Sequence, residues 1–264
     1  PPAAERTKAD FSQLAATMQT LRSPQGCLWD QEQTHASIRH NLLEEAYEVI
    51  EAIDLQDSEL LCEELGDVLL QVVFHAQMAH ESGCFDLQDV IDGINKKLIR
   101  RHPHVFGEIT VANSAEIVYN WEQIKLQEKQ TRSRVLDGVT KGMSSLMTAY
   151  KMQHKAAKVG FDWDDTAPVY EKIQEELTEV QTARTAKELE KEVGDLLFAV
   201  VNLARHLKII PEMALNTSNR SFKTRFEYVE EQVLASGKQW SDFTLEDLDE
   251  FWAQSKLREK VFEA

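Results

Sequence analysis

Acidic side chains recur in this sequence at spacings that place them one helical turn apart. Glu45 and Glu48 lie three residues apart, and Glu64 and Asp67 repeat that interval further along the chain. Residues three or four apart share one face of a helix. Carboxylates brought together from two neighbouring helices can bind a hard divalent cation, which in phosphate chemistry is usually Mg²⁺. The pattern therefore indicates a metal site built on two adjacent helices.

The apolar residues around these acids favour a cation over a solvated surface. Glu45 and Glu48 fall along the margin of an apolar helical stripe, and residues 65–74 are apolar almost all round. We therefore expect Glu64 and Asp67 to be largely withheld from water. A buried, unpaired carboxylate costs roughly several kcal/mol unless it is protonated or binds a cation. Oxygen ligands without Cys or His suit Mg²⁺ or Mn²⁺ better than zinc.

The acidic pattern occurs twice, in the same order relative to other motifs. An isolated ExxE motif is usually a solvated helix face, but duplication together with ExxD argues against that interpretation. The matched pairs are Met18-Gln19 with Met152-Gln153, residues 26–30 with 160–164, residues 44–48 with 175–179, residues 64–70 with 192–198, and residues 121–125 with 252–256. We interpret this as a duplicated module with a boundary near Ser133, giving domains of residues 1–132 and 133–264.

Hydrophobic periodicity predicts helices throughout each copy. In the first copy we expect helices over about residues 36–55, 59–82, 87–101 and 115–129. Each has an apolar face to bury, and alternation of period two is absent. The predicted fold class is all-α, with two tandem copies of a module of the four-helix-bundle type.

Composition excludes several classes of function. The chain has 264 residues and a formal net charge of −16, which disfavours nucleic acid and anionic lipid as partners. Cys27, Cys62 and Cys84 lack a metal-type spacing and indicate free thiols in a reducing compartment. No apolar stretch approaches the roughly 20 residues that a membrane helix needs. We expect a cytoplasmic protein that binds neither membrane nor nucleic acid.

The order EExxE, spacer, ExxD resembles the all-α NTP pyrophosphatases. The segments WDQEQTH (29–35), RRHPHVF (100–106) and VGFDW (159–163) resemble the MazG family in particular. The resemblance covers nearly the whole chain. It implies a homodimer that uses Mg²⁺, or Mn²⁺ in its place, to hydrolyse an NTP or dNTP to the monophosphate and pyrophosphate through attack of water on the α-phosphorus.

The resemblance also implies roles for individual residues. The metal ligands would be Glu45, Glu48, Glu64 and Asp67 in the first copy, and Glu176, Glu179, Glu192 and Asp195 in the second. A spare carboxylate, Glu44 or Glu175, would accept the proton of the attacking water. The cations that bind the triphosphate would be Lys97, Arg100, Arg101 and Lys125 in the first copy, and Lys172, Arg225 and Lys256 in the second.

Aromatic and basic positions leave alternatives open. Trp121 and Trp252 either stack on a base or simply pack in the bundle. The family pattern KFxRRF reads SFKTRF at residues 221–226, so Ser221 and Thr224 replace two cations. That departure predicts weaker triphosphate binding at the second site.

Two other classes of protein offer alternative interpretations of this sequence. A di-iron carboxylate bundle needs Glu-x-x-His on two helices, and the sequence offers this only from Glu32 to His35. A regulatory or scaffold protein with one degenerate nucleotide pocket remains the alternative. Pyrophosphate release from an NTP with Mg²⁺, compared with EDTA, separates an enzyme from such a scaffold.

Overall fold

The computed structural model describes residues 10–114, 116, 117, 120, 121, 124 and 134–262, with side chains as far as residue 258. Within these ranges the regular secondary structure is entirely helical. The chain divides into two compact units, residues 1–128 and 129–264. The predicted boundary at Ser133 lies outside the described residues, as do parts of the helix predicted over 115–129. The prediction of an all-α fold with two tandem modules is confirmed.

In the described part of the first unit, six helices have both ends defined. They are α1 (Phe11–Leu21), α2 (Leu28–Glu32), α3 (Asn41–Leu55), α4 (Ser58–Glu81), α5 (Leu87–Arg101) and α6 (Pro103–Phe106). Its core contains Met18, Ile38, Val73, Phe74 and Met78. These residues join α1 and α4 through the segment that precedes α3.

A tight reversal between α3 and α4 determines where the first acids lie. Gln56 adopts the left-handed conformation after α3, and Asp57 then caps α4 by accepting hydrogen bonds from the Glu59 and Leu60 amides, both at 3.0 Å. The two helices therefore run side by side in opposite directions, and α3–α4 is the most extensively packed pair in this unit. Glu45 and Glu48 on α3 face Glu64 on α4 as a result.

The helix predicted to begin near residue 36 starts later, at Asn41. Thr34 and Ser37 exchange hydrogen bonds between side chains and backbone amides, at 2.9 and 3.1 Å. Such local bonds compete with helical hydrogen bonding, which explains why residues 36–40 form turns.

The second unit repeats the hairpin of the first. Its helices are α7 (Ser145–Ala157), α8 (Ala167–Thr182), α9 (Ala186–His206), α10 (Pro211–Ser236) and α11 (Leu245–Phe262), with a short 3₁₀ turn at Trp240–Asp242. A capping box between Thr185 and Glu188 starts α9 immediately after α8. Helix α7 packs on α9, as α1 packs on α4. No described helix is both long and apolar enough to cross a membrane.

An ion pair connects the α7–α8 loop to the end of α9. Arg205 donates to both carboxylate oxygens of Asp162, including a 2.8 Å bond from Nη1 to Oδ2. Arg205 also donates from Nε to the Asn202 side-chain oxygen at 3.0 Å. The hydrogen bonds from Arg205 hold the pKa of Asp162 below its ordinary value.

We expect Asp162→Asn to destabilise the second unit by about 1 kcal/mol at neutral pH, since the carboxylate side chain is 26% exposed and partly screened. The folded-state pKa of Asp162 is depressed, so its contribution is fully present above the unfolded value of about 4 and is lost as pH falls through the folded value. Urea unfolding at neutral and strongly acidic pH measures this. The exposed Asp164→Asn is the control, and a cost that persists in strong acid would contradict the ion-pair explanation.

Candidate active site

Each unit brings three carboxylates from its helical hairpin to one point. One oxygen from each of Glu45, Glu48 and Glu64 lies within 4.8 Å of the others, and the same holds for the triplet Glu176, Glu179 and Glu192. The spacing of ExxE on the first helix and the tight turn before the second produce this convergence. Both triplets can offer several oxygen ligands to one hard cation.

The fourth predicted ligand of each copy lies beside its triplet rather than within it. The Asp67 charge raises the pKa of both Glu45 and Glu64, after the larger effect of burial in each case. Asp67 is therefore close enough to interact with both. In the second unit, Asp195 and Glu176 line the same cavity.

The prediction that Glu64 and Asp67 are largely withheld from water is wrong in degree. Both are only partly buried, and Leu65 between them is 52% exposed. The buried residues of α4, from Gln71 to Ala79, lie in its C-terminal half, beyond the acids. The apolar run was therefore a correct guide to a packed helix but not to complete burial of the acids within one chain.

Neighbouring acids contribute to raising one another's pKa. Hydrogen bonding with Glu192 is the main cause that raises the pKa of Glu179, with burial and the charge of Glu176 adding to it. Glu45 and Glu64 show the same upward direction of pKa, mainly from burial. A bound cation would relieve this repulsion by stabilising the ionised carboxylates.

Glu176 fits a cation more closely than any other predicted ligand. It is 4% exposed, and its Oε2 is buried without a hydrogen-bond partner among the described residues. Its Oε1 accepts from Lys172 Nζ at 2.6 Å. An unpartnered carboxylate oxygen in such a place is the donor that a hard cation needs.

The two copies differ in the charges around their acids. In the second unit Lys172 also contacts Glu175, at 2.8 Å, and Lys191 contacts Glu192 and Asp195, at 3.0 and 2.9 Å. The corresponding positions of the first unit, four residues before Glu45 and directly before Glu64, hold Asn41 and Glu63. The second cluster is thus partly neutralised by lysines, whereas the first carries an additional acid.

A cavity of about 900 Å³ lies beside the second cluster. That volume is within the usual range of small-molecule sites. Its wall includes Lys172, Glu176 and Asp195 together with the polar residues Gln153, Asn202 and Arg205 and the aromatic residues Phe161, Trp163 and Phe198. Charged groups for phosphates and aromatic faces for a base therefore share one space.

Most of the other predicted substrate-binding residues do not line this cavity. Arg225 and Lys256 lie over the Trp252 ring, 5.8 and 5.9 Å from its centroid, and the Phe222 ring lies 5.2 Å from the same ring. Arg225, Trp252 and Lys256 therefore cluster together on the α10–α11 hairpin and do not line the cavity of their own chain.

The basic residues of the first copy lie at the C-terminal end of α5. Lys97 and Arg100 are exposed, and Arg101 is partly buried. The Trp121 ring lies 6.4 Å from the His102 ring. Lys125 lies outside the described residues.

Comparison with known proteins identifies the family. Residues 33–106 match the family model described as the MazG nucleotide pyrophosphohydrolase domain. A Thermotoga maritima protein named nucleoside triphosphate pyrophosphohydrolase/pyrophosphatase MazG is 48% identical over 247 residues, which cover 93% of this chain and 95% of the relative. The chain belongs to the MazG family. The resemblance inferred from the motifs is confirmed.

Two further MazG relatives differ in how much they share with the chain. The nucleoside triphosphate pyrophosphohydrolase of Escherichia coli K12 is 47% identical over 257 residues, covering 94% of this chain and 98% of the relative. The protein of that name from Mycobacterium tuberculosis is 40% identical over 134 residues, covering 50% of this chain and 41% of the relative. Similarity thus extends along the tandem chain in one relative and over about half of it in the other.

Sequence reasoning on this MazG chain missed the polar residues of the cavity wall. Gln153 was noted only as a repeat match to Gln19, yet Gln153 is buried and Gln19 is exposed. Each glutamine lies seven residues before the glycine of its repeat, so burial at this position depends on the helices that pack against it and not on the repeat pattern.

We expect Lys191→Met to raise the affinity of the second cluster for Mn²⁺ by about two- to fivefold, because a cation then no longer competes with an exposed ammonium group. The reciprocal variant Glu63→Lys should weaken binding at the first cluster. Mn²⁺ titration followed by electron paramagnetic resonance measures both, each with the acids of the other copy neutralised. Unchanged affinity in both variants would show that these side chains do not compete with the ion.

Proposed function

We propose that the chain hydrolyses nucleoside triphosphates to monophosphate and pyrophosphate with Mg²⁺, or Mn²⁺ in its place, mainly at the α8–α9 site. The observation that carries the proposal is the buried, unpartnered Glu176 oxygen beside Lys172 in the wall of a nucleotide-sized cavity. The names of the Thermotoga and Escherichia relatives support the reaction class.

Glu176, Glu179, Glu192 and Asp195 would hold the cation, and the corresponding acids would hold one in the first copy. The ion would screen the triphosphate charge and lower the pKa of a bound water. Glu175 is exposed next to Glu176 and is our candidate for the group that takes the proton from the attacking water. The water oxygen forms the new bond to the α-phosphorus, and the bond from that phosphorus to the pyrophosphate oxygen breaks.

Lys172 is placed to bind the substrate's phosphates. Its contacts with Glu175 and Glu176 raise its pKa, so it stays charged throughout the neutral range. A cation on Glu176 would weaken one of these contacts and leave the ammonium group available to the triphosphate. Arg225, Trp252 and Lys256 form a second basic and aromatic group, and we propose that it contacts the substrate from the α10–α11 hairpin.

The first unit favours a second role. Its acid cluster has Asn41 and Glu63 where the second has lysines. It would therefore attract a cation strongly but a polyanion weakly. We propose that it contributes little turnover and supplies a regulatory metal site, with Glu44 as its counterpart to Glu175 and residues 1–132 as its domain.

We also propose a homodimer, supported by the outer face of α9. Leu189, Val193, Leu197 and Val200 are exposed and recur at helical spacing. At about 3.6 residues per turn, this stripe is centred roughly a third of a turn around α9 from Glu192, Asp195 and Ala199. An apolar stripe of this kind marks an association surface.

The exposed free thiols of Cys27, Cys62 and Cys84 support a cytoplasmic location.

We expect Asp195→Asn to lower turnover roughly 10- to 100-fold, while Asp67→Asn retains more than about half, because each change weakens only its own metal site. Ion chromatography of the products from ATP measures the rate and identifies AMP with pyrophosphate. Excess EDTA should abolish turnover in the unmodified chain. Loss confined to Asp67→Asn would reverse the assignment, and ADP with orthophosphate would contradict the reaction class.

We expect Leu197→Glu to convert the dimer to a monomer, since a charge would be buried in the apolar stripe. Light scattering coupled to size-exclusion chromatography gives the mass directly. The exposed Lys187→Glu on the same helix introduces the same side chain outside the stripe and should leave the dimer intact. A dimer in both variants would place the interface elsewhere.

A further inference from the structure

The cavity wall of the second unit contains a buried acceptor that the folded chain does not satisfy. Gln153 on α7 is 8% exposed, and its Nε2 donates to the Phe198 carbonyl oxygen at 2.8 Å. Its Oε1 is buried and has no hydrogen-bond partner in the part of the chain that the structure describes. Buried acceptors of this kind are rare because they lose their bonds to water without replacement.

The partner of Nε2 fixes which way the Gln153 amide points. The Phe198 carbonyl oxygen only accepts hydrogen bonds, so it needs the NH₂ end of the amide. The opposite orientation would set two oxygens against each other. The wall therefore contributes an acceptor, and a ligand that satisfies it must supply a donor.

The surroundings of Gln153 favour an amino group over a lactam N–H. Gln153 shares the cavity wall with the apolar residues Met152, Ala156 and Phe161. The ring N–H of guanine or uracil has a carbonyl oxygen beside it, and that oxygen would approach the Gln153 oxygen. The exocyclic amino group of adenine, cytosine or guanine brings a donor without a carbonyl oxygen on the neighbouring ring atom.

We propose that Gln153 determines base specificity by accepting a hydrogen bond from the exocyclic amino group of the substrate's base. This inference rests on the proposed function and narrows the preferred substrates to triphosphates whose base carries an exocyclic amino group, which leaves out those of uracil and hypoxanthine. A site built to bind an N–H group discriminates against an analogue without it, because its own polar group is then left unpaired.

The test compares ATP with purine riboside triphosphate, which lacks the amino group and any N–H on that edge of the ring. We expect kcat/KM of the full chain to favour ATP by about tenfold, since the analogue leaves a buried acceptor unsatisfied. Gln153→Met removes the acceptor at nearly the same volume and should bring the ratio to within about twofold of one. Gln19→Met, on an exposed glutamine of α1, should leave the ratio unchanged.

All of these variants are measured in an Asp67→Asn background, which suppresses turnover by the first unit, and their thermal unfolding is followed to show that they fold. Equal kcat/KM values for ATP and purine riboside triphosphate in the chain that keeps Gln153 would overturn the proposal. A ratio that Gln153→Met leaves unchanged would also overturn it. So would a loss of turnover on UTP in Gln153→Met, because uracil offers only a lactam N–H and the contact would then be assigned to that group.

Failure of the proposed reaction can be distinguished from failure of the base assignment. If no triphosphate yields pyrophosphate, the proposed function fails, and calorimetric binding of α,β-methylene ATP against its purine riboside counterpart still tests Gln153. If turnover occurs but the ratio does not depend on Gln153, only the base assignment fails.

Discussion

Repulsion among carboxylates held at the same point is the constraint on which both halves of this protein depend. Packing of α3 on α4, and of α8 on α9, forces three glutamates to within 4.8 Å in each unit. Burial, together with the neighbouring acids, raises the pKa values of Glu45 and Glu64, and hydrogen bonding with Glu192, together with burial and the charge of Glu176, raises the pKa of Glu179. Folding must hold these groups together against their charge, and a site that does so at a cost in stability is characteristic of function.

The two units respond to that repulsion differently. In the second, Lys172 and Lys191 each bridge two carboxylates and offset part of the repulsion. In the first, the Gln71 amide approaches Glu45 at 3.4 Å, and Glu63 adds a further charge. One duplicated scaffold thus surrounds its acids with lysines in one unit and with a further acid in the other, and a cluster of the second kind would attract a cation more than a polyanion.

Local sequence was sufficient to predict the hairpins and their acids, because helical spacing fixes the face on which Glu45, Glu48 and their counterparts lie. It was insufficient for burial, since the exposure of Leu65 depends on which helices cover α4. It also failed for the cavity wall. Gln153 and Gln19 hold matching positions of the repeat, yet Gln153 is buried and Gln19 is exposed, because burial depends on which helices cover each face.

Helix α9 connects these properties because its sides carry different chemistry. One side carries Glu192 and Asp195 of the acidic cluster, and the Phe198 backbone oxygen on this helix accepts a hydrogen bond from Gln153. An adjacent side carries Leu189, Val193 and Leu197, which remain exposed in a single chain. Covering that stripe would hold the helix from outside and limit the motion of the ligands on its inner side. Association and catalysis would then be coupled through the rigidity of one helix, without any residue of the stripe touching the substrate.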